Sequence, residues 1–492
     1  MANGVIPFLT MLLLSVVLDA AARPRARTGR DWRGLALHLT VMTGVFGVIL
    51  AGIGNPVIAA LVSVALVALF MVASNAKRKM LGEPLVFSDL ALLVGVVRHP
   101  RFYFSALSPA QRWMLAIGAG GALVAIVLLS SAALRPHLAG LVLAVGIGLA
   151  IALVLRSRAL DGLAATPDLE GDFTRLGMIA TLLLYWWRWR RSSDPLPFPA
   201  VAQHAGADLP ELVVIVQCES FCDPVELTGD PKNAFAGLDA ARWAAWQWGT
   251  LEVSGFGAYT MRTEYGVLFG RSEEALGFRR YDPFLTAAGD SSHALSARLR
   301  GAGYRSVFVH PHDLRFYSRD RLMPQVGFAA MIGEEGFAAR GDGAGRYVDD
   351  RTLGASVIGM IEAATGPTMI YTVTMENHGP WDSASARDAA GRREAYLRHA
   401  RSSDAMLQDL TAYLARAGRS ALLVFFGDHR PSIPGVTAPG GARHTPYVML
   451  RFDSDGIIAP GAQGPISLTP ADLHHTILRC VTASDAVTRR AE

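Results

Sequence analysis

The sequence predicts a membrane anchor of several α-helices, followed by an α/β domain whose mainly parallel central sheet is covered by helices. Two observations lead to this fold class. Only 18% of the 492 residues are charged, against about 25% in ordinary soluble proteins, and the deficit lies in the first third. Beyond about residue 207, short apolar runs of strand length alternate with helical patterns, as they do in proteins with parallel sheets.

Apolar runs in the first third are long enough to cross a bilayer, whose hydrocarbon core takes about 20 residues of helix. The five predicted spans are residues 5–22, 35–50, 56–74, 113–134 and 137–155. None has an ionisable residue near its centre, and His38 lies close to one end. Transporters and proton relays need such residues. We therefore expect an anchor, and a liposome flux assay would test the transporter alternative.

Two further segments of this region are predicted to lie along the membrane surface. Residues 81–101 are amphipathic, and residues 176–187 form a short apolar run that ends in a Trp- and Arg-rich sequence. Such a short run suits an interfacial helix. The predicted domains are a transmembrane anchor (1–160), a juxtamembrane linker (161–206) and a catalytic domain (207–492).

The basic residues leave the topology open. Loops at residues 23–33 and 77–79 should face the cytoplasm, and five spans then leave the C-terminal domain there too. If residues 176–187 also cross, the domain lies outside. These loops account for the basic clusters behind the net charge of +4. No basic face with interleaved aromatic residues accompanies them, so we expect no nucleic-acid partner.

The α/β domain places polar residues after its predicted strands, where open sheets bind ligands. The predicted strands are residues 212–217, 306–310, 369–375, 421–426 and 446–450, and helical patterns cover 292–302 and 395–417. Glu219 follows the first strand, Asn377 and His378 the third, and Asp428 and His429 the fourth. Carboxylates and imidazoles suit a divalent metal such as manganese or zinc. Each carboxylate also has an alternative that involves no metal. Glu219 would cap the following helix, and Asp428 would be a turn residue after Gly427.

Thr260, in the segment G-A-Y-T-M-R-T-E-Y-G-V-L, is the candidate nucleophile. A bound metal lowers the pKa of an alcohol enough for attack. A helix that begins at Thr260 would also direct its amides at a phosphate. The alternative is an ordinary N-cap threonine assisted by Glu264.

The order of five motifs resembles the lipoteichoic acid synthase and phosphoglycerol transferase branch of the sulfatase-like superfamily, over about residues 211–450. The motifs are E-S-F (219–221), T-x-x-x-E-Y-x-V-L (260–268), H-x-H-D-x-x-F-Y-x-R-D (310–320), N-H-G-P-W (377–381) and G-D-H (427–429). The resemblance implies a sulfatase-like fold and a five-span anchor. It also implies a catalytic domain on the outer side of the bacterial cytoplasmic (inner) membrane.

The resemblance further implies the residues of the site. One divalent metal, Mn²⁺, would be held by Glu219, Thr260, Asp428 and His429, with Thr260 as the nucleophile. Positions that bind glycerol phosphate in the family, one of them aromatic, are occupied here by His310, Tyr317, Arg319 and His378. Tyr317 stands where that aromatic residue is often Trp.

The implied function is transfer of glycerol phosphate from phosphatidylglycerol, in the lipid bilayer, to a cell-envelope glycan through a phosphothreonine. The alternatives are a phosphodiesterase or hydrolase of the same fold, a phosphoethanolamine transferase and a non-catalytic membrane sensor. Relatives that transfer phosphoethanolamine usually carry several disulfides, whereas the three cysteines here allow at most one. True sulfatases oxidise C-x-P-x-R, and Cys222 begins a similar segment that ends in Glu226. His444 is either at the rim of the site or a surface residue.

Overall fold

The computed structural model separates the chain into two compact units, Met1–Ser192 and Ser193–Glu492. Each unit is described by itself. The residues that the structure describes are 2–26, 29–90, 130–198, 209–338, 347–381, 388–461 and 464–482, with scattered positions between 113 and 129.

The first unit contains helices long and apolar enough to cross a membrane. Within the described residues there are four of them: α1 (Ala2–Ala21), α2 (Trp32–Ile53), α3 (Pro56–Leu81) and α4 (Leu134–Arg156). They confirm the protein as a multi-pass membrane protein and match four of the five predicted spans. The remaining span, residues 113–134, and most of the amphipathic segment 81–101 lie outside the described residues.

Small residues allow α2 and α4 to approach each other closely. A Cβ atom at Gly47 of α2 would lie 2.8 Å from the backbone nitrogen of Ala144 in α4. The backbones therefore touch where side chains would otherwise separate them, as is common between helices in lipid.

Asp19, near the end of α1, forms a buried polar cluster that the sequence analysis did not anticipate. Its carboxylate lies 3.0 Å from the guanidinium of Arg30 and 3.6 Å from Nδ1 of His38. It also accepts a hydrogen bond of 2.9 Å from the backbone N–H of Ile179. Nε2 of His38 lies 2.9 Å from the hydroxyl of Ser15. The cluster joins α1, α2 and the segment that begins near residue 178.

That segment is helix α6 (Met178–Arg190), which follows α5 (Leu169–Leu176). Trp187 is buried, whereas Trp186 is 43% exposed. The guanidinium of Arg188 donates hydrogen bonds to the carbonyl oxygens of Leu160, Asp161 and Leu163. One face of α6 therefore packs inside the first unit, and its interfacial role remains a prediction.

The second unit is built on an eight-stranded sheet with the order β4-β3-β5-β1-β6-β7-β2-β8. The strands are β1 (Leu212–Cys218), β2 (Gln247–Leu251), β3 (Arg305–Val309), β4 (Ala330–Ile332), β5 (Thr368–Val373), β6 (Ala421–Gly427), β7 (Thr445–Phe452) and β8 (Ile466–Leu468). All pairs are parallel except those of β7 with β6 and β2. The predicted fold class is confirmed.

Helices cover both faces of this sheet, with an apolar core on each side. They are α7 (Pro224–Thr228), α8 (Ala236–Ala244), α9 (Thr260–Phe269), α10 (Glu273–Leu276), α11 (Leu295–Gly301), α12 (Arg319–Gln325), α13 (Asp350–Glu362), α14 (Ala389–Leu414) and α15 (Pro470–Thr482). All five predicted strands are present. The strands β2, β4 and β8 were missed because they are short and mostly only half buried.

Asn377, which follows β5, takes part in a buried hydrogen-bond chain between α13 and α14. Its amide donates to the hydroxyl of Ser403 at 2.8 Å, and that hydroxyl donates to Asp350 at 2.5 Å. Burial, together with the nearby carboxylate of Glu376, raises the pKa of Asp350. The amide nitrogen of Asn377 therefore joins the two helices, whereas its Oδ1 is buried and has no hydrogen-bond partner among the described residues.

We predict that Asp350→Asn stabilises the protein more at pH 8 than at pH 5. A raised pKa in the folded state means that the contribution of Asp350 is fullest below the unfolded value of about 3.9 and declines as the pH rises. Asparagine keeps the hydrogen bonding without this loss. Thermal unfolding of the full chain in detergent measures the effect, and Asp409→Asn, on an exposed side chain, is the control. Equal shifts at both pH values would contradict this account.

Candidate metal centre

The candidate site lies at the carboxyl edge of the sheet, where β1 and β6 run side by side. Their parallel register pairs Cys218 with Gly427, so the residues that follow each strand become neighbours. The backbone N–H of Asp428 donates to the carbonyl of Cys218 at 3.1 Å and extends the ladder by one residue. Glu219 thus lies beside Asp428 and His429.

These three side chains form a compact donor set. Their ligand atoms all lie within 4.8 Å of one another. Nε2 of His429 is 3.4 Å from Oε1 of Glu219 and 3.7 Å from Oδ2 of Asp428. All three residues are buried. The structure brings the predicted ligands together.

The electrostatics of the site fit a divalent cation. Oδ2 of Asp428 is buried and has no hydrogen-bond partner in the described part of the chain. Burial and the negative charge of Glu219 raise the pKa of Asp428 well above its usual value. Burial also raises the pKa of Glu219, but His429 and other neighbours lower it by a larger amount. The net shift is therefore downward. A cation between the two carboxylates would relieve their repulsion and satisfy the orphaned oxygen.

Thr260 reaches this donor set from the start of α9. Tyr259, in the left-handed region at φ 76° and ψ 32°, turns the chain into the helix, and Thr260 is its first residue. The hydroxyl of Thr260 donates to Oε2 of Glu219 at 3.2 Å and lies 3.5 Å from Nε2 of His429. The N-cap alternative is therefore wrong, because Tyr259 occupies the cap position.

The alternative interpretations, Glu219 as a helix cap and Asp428 as a simple turn residue, are also wrong. Asp223, and not Glu219, caps α7, through a hydrogen bond of 2.9 Å from the N–H of Val225. Asp428 does more than turn the chain, because its Oδ1 accepts a hydrogen bond of 2.8 Å from the backbone N–H of Ser220. The carbonyl of Asp428 accepts a second hydrogen bond, from the hydroxyl of Thr263, at 2.7 Å. Both carboxylates are held in place by their surroundings.

Arg319, one of the predicted substrate-binding residues, is held by two hydrogen bonds to Glu264. Its Nε and Nη2 donate to the two carboxylate oxygens at 3.1 and 2.5 Å, and both residues are fully buried. The guanidinium also lies 5.1 Å from the centre of the Tyr317 ring. Tyr317 adopts a left-handed φ of 58°. Glu264, first considered as a capping partner of Thr260, therefore orients Arg319.

His310 and His378 follow β3 and β5 on the same edge of the sheet. Nδ1 of His310 lies 3.0 Å from the carbonyl of Val373 and must carry the proton. Burial and the charge of Arg319 lower the pKa of His310 well below its usual value. The ring is therefore neutral, and its Nε2 is a hydrogen-bond acceptor. Nδ1 of His378 similarly donates to the carbonyl of Gly379 at 2.7 Å.

Two aromatic side chains that the sequence analysis did not single out connect these histidines. Ring centres are 5.8 Å apart for His310 and His312, 6.1 Å for His312 and Tyr347, and 5.8 Å for Tyr347 and His378. Burial and Arg319 lower the pKa of His312 to about 4. The H-x-H spacing after β3 was a signal for His312, whereas nothing in the pattern marked Tyr347.

The segment that resembles a sulfatase nucleophile has a structural role. Burial raises the pKa of the Cys222 thiol to about 11, and its sulfur lies 3.3 Å from the hydroxyl of Tyr396. Glu226 accepts from Arg430 at 3.2 Å and lies 2.9 Å from Nε2 of His444. All three cysteines are free and buried. His444 is thus a partly exposed hydrogen-bond partner of Glu226.

We predict that the protein binds one divalent ion and that Asp428→Asn weakens binding by more than about 100-fold. An ion at 100 times its dissociation constant stabilises the folded state by about 2.7 kcal/mol, so Mn²⁺ should raise the unfolding temperature of EDTA-treated protein. The Asn variant should lose this response while Asp409→Asn keeps it. A full response in the Asp428 variant would exclude that residue as a ligand.

Comparisons with known proteins agree with the fold. The sequence profile of the sulfatase family matches residues 211–483. The capsular polysaccharide biosynthesis protein RkpI of Rhizobium meliloti (strain 1021) is 27% identical over 448 residues, covering 87% of this chain and 83% of that protein. A putative cyclic beta-1,2-glucan modification protein of the same strain is 26% identical over 262 residues, covering 50% of this chain and 39% of that protein.

One solved structure is similar along nearly the whole chain. The integral membrane lipooligosaccharide phosphoethanolamine transferase A of Neisseria meningitidis aligns with a TM-score of 0.56 at 15% identity, covering 98% of this chain and 96% of that one. At this identity the likeness concerns the fold. Because the sulfatase profile covers more than half of the sequence, the chain belongs to the sulfatase family.

Proposed function

We propose that this enzyme transfers glycerol phosphate from phosphatidylglycerol to a cell-envelope glycan, through a phosphothreonine formed on Thr260. The observation that carries the proposal is the convergence of the Thr260 hydroxyl on Glu219 and His429, at 3.2 and 3.5 Å. A buried alcohol that lies beside carboxylate and imidazole groups able to bind a metal is well placed for nucleophilic attack. Its position as the first residue of α9 adds helix amides that favour a phosphate group.

In the first step the oxygen of Thr260 bonds to the phosphorus of the donor, and the bond from phosphorus to the diacylglycerol oxygen breaks. The hydroxyl proton of Thr260 passes to the carboxylate of Glu219, which already accepts a hydrogen bond from this hydroxyl. The departing diacylglycerol oxygen takes a proton from solvent. In the second step a hydroxyl of the acceptor bonds to phosphorus and gives its proton to solvent. The bond from phosphorus to Thr260 breaks, and the proton lost to Glu219 in the first step returns to the Thr260 oxygen.

The site would hold one divalent metal through Glu219, Asp428 and His429, with the hydroxyl of Thr260 as a fourth ligand. When bound, such an ion lowers the pKa of a neighbouring alcohol and offsets charge on the phosphoryl oxygens. We propose Mn²⁺, because oxygen donors with one imidazole suit this ion. The remaining stabilisation of the transferring group would come from the charge of Arg319, which Glu264 holds in one orientation.

The surroundings of the site favour a glycerol headgroup over an ethanolamine headgroup. Arg319 is charged and lies close enough to His310 to lower its pKa, and a positive neighbour repels an ammonium group. A neutral His310 offers Nε2 as an acceptor for a glycerol hydroxyl, and His378 and Tyr317 would line the same side. We therefore propose a glycerol headgroup and treat phosphatidylethanolamine as the competing donor in the test below.

We place the acceptor among envelope glycans and the catalytic domain on the periplasmic or extracellular side of the cytoplasmic membrane. The names of the two relatives from Rhizobium meliloti refer to a capsular polysaccharide and a cyclic glucan, which supports a glycan acceptor. Phosphatidylglycerol stays in the bilayer, and the apolar helices of the first unit support a lipid donor.

We predict that purified protein in detergent with Mn²⁺ releases labelled diacylglycerol from phosphatidylglycerol with a fluorescent acyl chain. Thr260→Ala should lower the rate by at least about 10³-fold, because it removes the nucleophile. Thr260→Ser is the matched variant, since it retains the hydroxyl and should retain measurable activity. Both variants should respond to Mn²⁺ in thermal unfolding, which shows that the site is intact.

Other outcomes separate the alternatives. Full activity of Thr260→Ala excludes Thr260 as the nucleophile. Faster release from labelled phosphatidylethanolamine than from phosphatidylglycerol replaces the proposed donor. Release of free glycerol phosphate in the presence of glycan, with no labelled glycan formed, identifies a hydrolase. Metal binding without any product supports the non-catalytic sensor.

A further inference from the structure

Ser220 holds a constrained backbone conformation between the strand β1 and the candidate metal centre. It follows Glu219 directly and is 2% exposed. Its φ of 50° lies in the left-handed region, a strained conformation that serine rarely adopts. Such strain persists only where surrounding contacts stabilise it.

Contacts of that kind surround Ser220. Its carbonyl accepts a hydrogen bond of 2.9 Å from the hydroxyl of Tyr396, and the same hydroxyl accepts one of 3.2 Å from the N–H of Cys222. Tyr396 is fully buried. The turn from Glu219 to Cys222 is thus fixed from the side of α14.

The turn directs two donors of Ser220 at two different carboxylates. Its hydroxyl donates to Oε1 of Glu219 at 2.9 Å, and its backbone N–H donates to Oδ1 of Asp428 at 2.8 Å. One oxygen of each carboxylate is therefore engaged by Ser220. Oε1 of Glu219 also lies 3.4 Å from Nε2 of His429, and Oε2 accepts from Thr260. Oδ2 of Asp428 lies 3.7 Å from the same nitrogen of His429.

We propose that Ser220 is a positioning residue that orients the carboxylates of Glu219 and Asp428 toward a divalent cation. The backbone N–H requires the left-handed turn, whereas the hydroxyl requires the serine side chain. Because the turn is stabilised by Tyr396, loss of the hydroxyl frees Glu219 to rotate without unfolding the loop. This inference rests on the metal centre of the proposed function.

The test is isothermal titration of Mn²⁺ into EDTA-treated full-length protein in detergent, for wild type, Ser220→Ala and Ser220→Gly. Residues that orient ligands typically contribute about 10- to 100-fold to metal affinity, so both variants should bind more weakly by that factor. Glycine adopts the left-handed region without strain, and the Gly variant therefore separates the hydroxyl from the backbone. Ser467→Ala, on the edge strand β8 with an exposed hydroxyl, is the control.

Each result decides the question. Weaker binding by both variants, with metal-free unfolding temperatures at or above that of wild type for the Gly variant, supports the proposal. Affinities within twofold of wild type for both variants overturn it while leaving the metal centre intact. If only the Gly variant binds Mn²⁺ with wild-type affinity, the backbone of residue 220 orients the carboxylates without the hydroxyl. That result also overturns the proposal. Failure of wild type to bind any Mn²⁺ overturns the metal centre itself.

Discussion

The site depends on the parallel pairing of β1 with β6. Both strands are apolar and fully buried, so burial fixes their place at the centre of the sheet, and their register brings Cys218 beside Gly427. Only this alignment places Glu219 against Asp428 and His429, residues far apart in the sequence. A shift of either strand by one residue would turn alternate side chains to the opposite face, and the three donors would no longer converge.

Around this pairing, the protein satisfies most buried polar groups of the site and leaves a few unsatisfied. Glu264 holds the guanidinium of Arg319 through two hydrogen bonds. The hydroxyls of Ser220 and Thr263 donate hydrogen bonds to the donor residues Glu219 and Asp428. Oδ2 of Asp428 has no such partner among the described residues. A buried carboxylate oxygen is costly when it is left without a hydrogen bond or a counter-charge. This contrast marks the oxygen at which a cation would bind, and the proposed nucleophile Thr260 donates a hydrogen bond to the same donor set.

Much of the second unit was predictable because its central strands are continuous apolar runs and its site residues follow them directly. Thr260 was identified correctly at the start of a helix, since the local pattern determines that boundary. Long-range partners were not predictable. The bonds of Asp19 to Arg30 and Ile179 depend on helix packing in the first unit, and the rotation of Asn377 toward Ser403 depends on how α13 and α14 meet. The strands β2, β4 and β8 are short and mostly half buried, so their hydrophobic pattern is too weak to predict them.

The central claim is that Thr260 carries the transferred group. The most direct test is to mix the protein with phosphatidylglycerol in the absence of an acceptor, quench the reaction in acid and analyse the peptides by mass spectrometry. The account predicts one added glycerophosphoryl group on the peptide that contains Thr260, present with Mn²⁺ and absent after treatment with EDTA. Release of diacylglycerol at an undiminished rate from protein whose Thr260 stays unmodified, or modification of another residue, would contradict it.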